Sequence, residues 1–325
     1  MNHSLRKILT ASCLAAALAG GTAAASQSYP TKEVRFITAF AAGSASDIVA
    51  RLIAERLQAA LHQPVIVENK AGASGQIAAN FVAKAPPDGY TIMLATNTTH
   101  SANPYLFKTL HYDPIKDFTP IAQICNFPFV LAVSGKLPVS NIKELLAYGK
   151  KHASTLSYAY GNSTGQVSAA AFDKVTGLAA TAVPYKSSPQ AMTDVIGGRA
   201  SFMFADLASA AGYIQSGKLK LLGVTTNKRT ALAPDLPTIA DAIHQPGFNL
   251  AAWVGIFGPA GMPKPVVDRL STEIVKIVSS EDMRQRLTRL GAEPTPEPAE
   301  KFGPFVAQQL TIWGQKVKEA GIAPQ

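Results

Sequence analysis

The chain has 325 residues, 47% of them hydrophobic and 16% charged, with a formal net charge of +9. The basic residues are scattered instead of gathered into an arm, so no nucleic-acid-binding segment is expected, and no stretch beyond the N-terminal region reaches the ~20 apolar residues that span a bilayer. Of the two cysteines, Cys13 and Cys125, only the second lies outside that region, which leaves no internal disulfide to form.

The first 25 residues read as a secretory leader. Arg6 and Lys7 are followed by an apolar region at 8–18 and a run of small residues at 22–26, with cleavage expected near Ala25. Cys13 faintly resembles a lipidation site, but the apolar run continues past it, so a soluble mature chain is expected. That chain carries 300 residues and a formal charge of +7, enough for two domains of about 150 residues. The excess positive charge would draw anionic ligands weakly.

Residues 34–61 read as an apolar strand, a turn of small residues at 41–46, and a helix carrying Ile48, Leu52, Leu57 and Leu61 at helical spacing. With Ser46 or Asp47 as N-cap, the helix would point unpaired backbone N–H groups and a positive dipole end into the turn, an anion site with little side chain to block it. Two later strand ends repeat the arrangement in hydroxyl and amide residues, at 94–100 and 156–166. Ligands of open parallel sheets collect at the carboxyl ends of strands, so these turns predict one shared cleft.

Between them, residues 64–68 read as a strand, 69–76 as a glycine-rich turn, 77–85 as a helix and 90–95 as a strand, giving a parallel β-α-β-α-β unit with right-handed crossovers. Residues 118–133 form two apolar runs separated by Cys125-Asn126, and a domain crossover is placed near Val130. Asn141 with Glu144 is a capping-box pattern that opens a helix. A second α/β set follows, with strands at 156–160, 180–183, 201–204 and 218–225, and residues 250–257 return to the first domain. Two amphipathic stretches, 264–290 and 299–320, flank a Pro/Glu-rich loop at 293–300. The expected fold is α/β, with residues 26–128 and 255–325 as one domain and 129–254 as the other. Each would be a mostly parallel sheet flanked by helices, hinged by crossing strands so that the pair can close.

One segment admits a second reading. Gly161-Asn162-Ser163-Thr164-Gly165 fits G-x-S-x-G between strand and helix, the nucleophile elbow of secreted α/β-hydrolases, and Asp206, Asp235 or Asp241 followed by His244 would complete the order Ser, Asp, His. Against it, no HGGG-type segment lies upstream, and His244 adjoins Gln245-Pro246-Gly247 in an expected surface turn. His62, His100, His111, His152 and His244 are dispersed without i, i+4 ligand spacing, so no metal is expected, and of these only His100 falls in a cleft loop. Gly72 to Gly75 lacks the lysine of a phosphate loop and the third glycine of a dinucleotide fingerprint, and no cofactor is expected. Trp253 and Trp313 are expected in the core.

The landmarks Phe40-Ala41-Ala42-Gly43-Ser44-Ala45-Ser46-Asp47, Gln63-Pro64-Val65-Ile66-Val67-Glu68-Asn69, Pro87-Asp88-Gly89-Tyr90, Val183-Pro184-Tyr185-Lys186, Leu232 to Thr238 and Gly258-Pro259-Ala260-Gly261 resemble the substrate-binding proteins of tripartite tricarboxylate transporters, the Bug family of periplasmic receptors. The resemblance spans nearly all of residues 29–323. It implies a monomeric two-domain Venus flytrap of type II-like architecture in the periplasm, without catalysis, that delivers a small organic carboxylate to membrane permease subunits. The ligand-binding positions it implies are Phe40, Ala41, Ala42, Gly43 and Ser44, then Thr96, Asn97 and His100, then Asn162, Ser163, Thr164, Gly165 and Gln166, with Tyr185, Lys186 and Asp206, and with Asp47 supporting the helix cap. The chain departs from the family's usual Ala-Gly-Gly at Ala42-Gly43-Ser44 and from its Phe-Asp-Asn at Phe204-Ala205-Asp206. Ala205 in place of a carboxylate suggests a dicarboxylate or aromatic carboxylate in preference to an amino acid.

Overall fold

The computed structural model describes residues 29–325, so the expected leader and Cys13 lie outside the described residues. In chain order β1 (Val34–Thr38), α1 (Ala45–Leu61), β2 (Val65–Asn69), α2 (Gln76–Ala83) and β3 (Thr91–Thr96) come first, followed by the short α3 (Asn103–Leu106) and the long β4 (Phe118–Ser134). Then come α4 (Ile142–Lys151), β5 (Ser157–Tyr160), α5 (Ser163–Thr176), β6 (Thr181–Pro184), α6 (Ser188–Ile196), β7 (Phe202–Asp206), α7 (Leu207–Gln215), β8 (Leu219–Val224) and α8 (Ile239–Ala242). The chain closes with β9 (Ala251–Pro259), α9 (Lys264–Ser279), α10 (Glu281–Arg289), β10 (Glu293–Pro298) and α11 (Ala299–Glu319).

The local signals explain most of these boundaries. Asn141 caps α4 and exchanges hydrogen bonds with Glu144, the expected capping box. In α1 the buried stripe is Val49, Ile53, Leu57 and Leu61, an unbroken four-residue spacing, whereas Ile48 and Leu52 sit half-buried beside it. Three elements differ from expectation. The stretch 264–290 breaks at Ser280, whose hydroxyl caps α10 while Glu281 and Asp282 fill its first turn. The helix α7 was not anticipated, although Asp206 and Ser209 stand in capping relation. The Pro/Glu-rich segment is strand β10 and not a loop; it pairs antiparallel with β4 alone, an edge position where prolines lose no ladder partner on their free side.

Residues 32–325 form one compact unit built on a ten-stranded mixed sheet. At one end β1 lies between β2 and β3, all parallel; at the other β5 lies between β6 and β7, all parallel. Antiparallel strands β9 and β4 join these triads. The two apolar runs at 118–133 prove to be one continuous strand of 17 residues. Its first part, to Pro128, pairs with β9, and from Phe129 it pairs with β7 and, from Val130, with β8. Pro128 has no N–H to donate, which suits the point where the ladder changes partners.

Each side of that exchange has its own core. Ile37, Phe40, Met93, Trp253, Phe257 and Phe302 pack in the first. Ala159, Met192, Val195, Met203 and Ala205 pack in the second. Cys125 is a buried free thiol, and no helix among the described residues is long and apolar enough to cross a membrane.

Candidate functional site

The carboxyl ends of strands β1, β3, β5 and β7 meet at one cleft, which Phe127 and Phe129 of β4 also line. The first residues of four helices line it: Ser44, Ala45 and Ser46 at α1, Asn162 and Thr164 at α5, Ser188 at α6, and Asp206 at α7. Each such terminus carries unsatisfied N–H groups and a partial positive charge, so their convergence makes the cleft an anion receptacle without any lysine or arginine in its lining.

The first loop is held from behind. Ser44, and not Ser46 or Asp47, is the N-cap of α1, its hydroxyl accepting from the Asp47 N–H at 3.3 Å. Asp47 returns the bond by accepting from the Gly43 N–H at 3.0 Å, and Gly43 takes the left-handed φ of +79° that the turn requires. The same buried carboxylate accepts from Asn69 at 2.8 Å and from Arg51 at 3.1 Å, and Asn69 also donates to the Phe40 carbonyl. Burial works to raise the Asp47 pKa, but the hydrogen bonds from Arg51, Asn69 and Gly43 outweigh it and hold the carboxyl below its usual range. Its stabilising contribution is therefore present above the unfolded value near 3.9 and is lost as pH falls through the lower native one. Asp47→Ala removes the acceptor that ties Gly43, Asn69 and Arg51 together; it is expected to cost about 2 kcal/mol in a denaturant titration at pH 7 and to weaken ligand binding about tenfold by releasing the loop. Unchanged affinity would show that the network acts only on the helix.

Across the cleft Asn162 caps α5, accepting from the Gly165 N–H at 2.8 Å, and donates to the Ser188 hydroxyl at 2.9 Å, which ties the starts of α5 and α6 together. Two buried bonds bridge the end of β3 and α5. Asn97 donates to the Thr164 hydroxyl, and the Ser163 hydroxyl donates to that of Thr98, both at 2.8 Å.

Of the positions expected to bind ligand, the cleft lining includes Phe40, Ser44, Thr96, Asn97, Asn162, Thr164 and Asp206. Ala41 is half-buried, and Ala42 and Gly43 are exposed. Gly165 is buried, with the Phe204 carbonyl 2.9 Å from where a Cβ would stand. Gln166 and Tyr185 line a neighbouring side pocket, and the Tyr185 hydroxyl donates to Asp194 at 2.7 Å. Lys186 is exposed. His100 is fully buried away from the lining, its ring stacked on Phe257 with centroids 4.0 Å apart and its Nδ1 against the Thr99 hydroxyl. Burial pushes its pKa down to about 3, so it stays neutral in the aromatic core. Strand alternation also corrects the reading of Ala205: it packs in the second core, while Phe204 and Asp206 point the other way and Asp206 reaches the cleft.

Ser46 and Thr98 line the cleft from within turns the sequence had marked, whereas sequence reasoning missed Phe127, Phe129, Ser188 and Ala252. Ser188 was marked by the proline that follows it at a helix start. Phe127 and Phe129 share one face of β4, a signal that exists only once 118–134 is known to be a single strand. As for the hydrolase alternative, Ser163 has the backbone of a helix's first residue, without the strain of a nucleophile elbow, its hydroxyl bonds to Thr98, and His244 is exposed.

The molecule has clear relatives. A family model described as the tripartite tricarboxylate transporter family receptor, TctC, matches residues 49–322. The R. palustris protein Rpa4515, solved with adipate, is 35% identical and superposes with a TM-score of 0.88 over 91% of this chain and 100% of its own. The periplasmic binding protein BugD is 35% identical, with a TM-score of 0.86 over 91% of this chain and 100% of its own. MatC from Rhodopseudomonas palustris, solved with malate, is 32% identical, with a TM-score of 0.83 over 89% of this chain and 100% of its own. With a family model matched over most of its length, this chain belongs to the tripartite tricarboxylate transporter receptor family.

Proposed function

We propose that the protein is a periplasmic receptor that closes on a small organic carboxylate, a dicarboxylate foremost, and hands it to the permease subunits of a tripartite tricarboxylate-type transporter. The observation that carries the reading is the convergence of four helix starts on one cleft lined by hydroxyls and amides, an arrangement that stabilises a carboxylate through oriented N–H groups. The adipate and malate bound by two similar proteins support the ligand class, and family membership supports the transport partner. The export signal read in residues 1–25 and the periplasmic placement of BugD support the compartment.

The protein acts as a monomer of two domains that close about β4. The exchange of strand partners between Pro128 and Phe129 supports a first boundary after residue 128, and the pairing of β9 with β3 and β4 supports a return to the first domain along β9, where the second boundary at 254/255 lies. The role is capture without catalysis.

A thermal-shift screen of the exported protein against aliphatic and aromatic mono-, di- and tricarboxylates tests the reading. A ligand at ~100 times its Kd stabilises by about 2.7 kcal/mol, several degrees for a protein of this size. A selective shift by carboxylates is expected. Silence across the panel, with labelling of Ser163 by a fluorophosphonate, would instead restore the hydrolase.

A further inference from the structure

Every side chain lining the cleft is apolar or an uncharged hydroxyl or amide, with the single exception of Asp206. It is only 4% exposed. One carboxylate oxygen, Oδ1, accepts both the N–H and the hydroxyl of Ser209 as the cap of α7; Oδ2 takes neither of these bonds. No lysine, arginine or histidine in the lining answers the charge. Burial accordingly raises the pKa of this carboxyl, the bonds from Ser209 opposing it.

Asn97 also lines this cleft. Asn97 is completely buried, donates its Nδ2 to Thr164, and leaves Oδ1 without a partner. Buried acceptors of this kind are unfavourable unless a donor reaches them, and the donors at the helix starts are already directed at an anion. A plain dicarboxylate would place a second acceptor-only group beside Asp206. A ligand that brought its own donor would satisfy it.

We propose that the natural ligand is a carboxylate that also carries a hydroxyl or ammonium donor, and that Asp206 is the residue that selects it. The helix N-termini hold the carboxylate; Asp206, with Asn97, accepts from the donor. This rests on the receptor reading above and reverses the preference drawn from Ala205, because the negative charge was sought at a core position while its neighbour supplies one in the cleft.

Calorimetric titration of the exported protein with matched sets decides it: succinate, malate and aspartate; glutarate, 2-hydroxyglutarate and glutamate; butyrate, 3-hydroxybutyrate and 4-aminobutyrate. In at least one set the hydroxyl or ammonium member is expected to bind at least about tenfold tighter than the unsubstituted one, since a site built to accept a hydrogen bond rejects the analogue that lacks it; which member wins distinguishes the two donors. Asp206→Asn keeps the cap, because asparagine is an equally good N-cap. With its oxygen held by Ser209 it turns an amide N–H toward the ligand, so the preference is expected to fall to about unity or invert, and its melting temperature without ligand is expected not to fall. Equal affinity within every set overturns the proposal, as does a preference that Asp206→Asn leaves intact. So does binding of an unsubstituted dicarboxylate with uptake of one proton, since Asp206 would then be the donor itself. Failure of every carboxylate to bind would remove the receptor reading along with this one.

Discussion

Gly161→Ala is expected to destabilise the protein by about 3 kcal/mol or more, lowering its melting temperature by roughly 6 °C or more, and to abolish measurable ligand binding. Gly161 joins β5 to the Asn162 cap, and the start of α6 passes directly over it. An added Cβ would stand 2.1 Å from the Ser187 carbonyl carbon, 2.2 Å from the Ser188 nitrogen and 2.4 Å from the Ser187 oxygen. All three are backbone atoms, so no rotamer change relieves the clash and one helix must move. Such a movement separates Asn162 from Ser188 and spoils two of the four helix starts at the cleft. Gly212→Ala is the matching control. It lies inside α7 with nothing within 4 Å of the new methyl, and should gain about 0.5–1 kcal/mol from helix propensity. Wild-type melting and affinity in Gly161→Ala would refute the close-approach argument.

Trp253→Ala should be costly in a different way, destabilising by about 4 kcal/mol while leaving affinity within about threefold at temperatures where the variant is folded. The indole is 2% exposed, sits on β9 opposite Asn126, and meets Phe302 and Phe305 edge-on with ring centroids 5.8 and 5.9 Å away. Phe302 in turn lies against Gly255, so truncating the indole opens a cavity that the surrounding rings cannot close. Trp253→Phe is expected to cost under about 1.5 kcal/mol, because the indole N–H makes no hydrogen bond and its loss leaves nothing unpaired. Guanidinium denaturation followed by fluorescence of the remaining Trp313 measures both, and a large loss of affinity would mark Trp253 as a ligand platform.

Much of the site was legible because its signals are local. Small residues after an apolar strand, then a cap and a helix, identify a carboxyl-end turn wherever they occur, and the turns at 41–46, 94–100 and 156–166 were found on that basis. The parallel β-α-β units and the capping box at Asn141 and Glu144 were found in the same way. The misreadings are the places where a side chain's direction depends on a partner far along the chain. His100 follows a run of hydroxyl and amide residues in a cleft loop, yet the π-helical turn at Thr98–Ala102 carries its ring into Phe118 and Phe257. Lys186 was expected at the cleft and is exposed, while the neutral Ser188 does the lining.

By itself the sequence determined the α/β class, the succession of strand, turn and helix, and the chemistry gathered at the strand ends, because hydrophobic period, caps and turn residues act within a few positions. The tertiary structure alone decided that 118–134 is one strand joining the two parallel triads, that β10 closes an edge, and that Asp206 faces the cleft while Ala205 does not. Strand pairing and register are contacts between distant residues, and a shift of one residue in register sends every side chain of a strand to its opposite face.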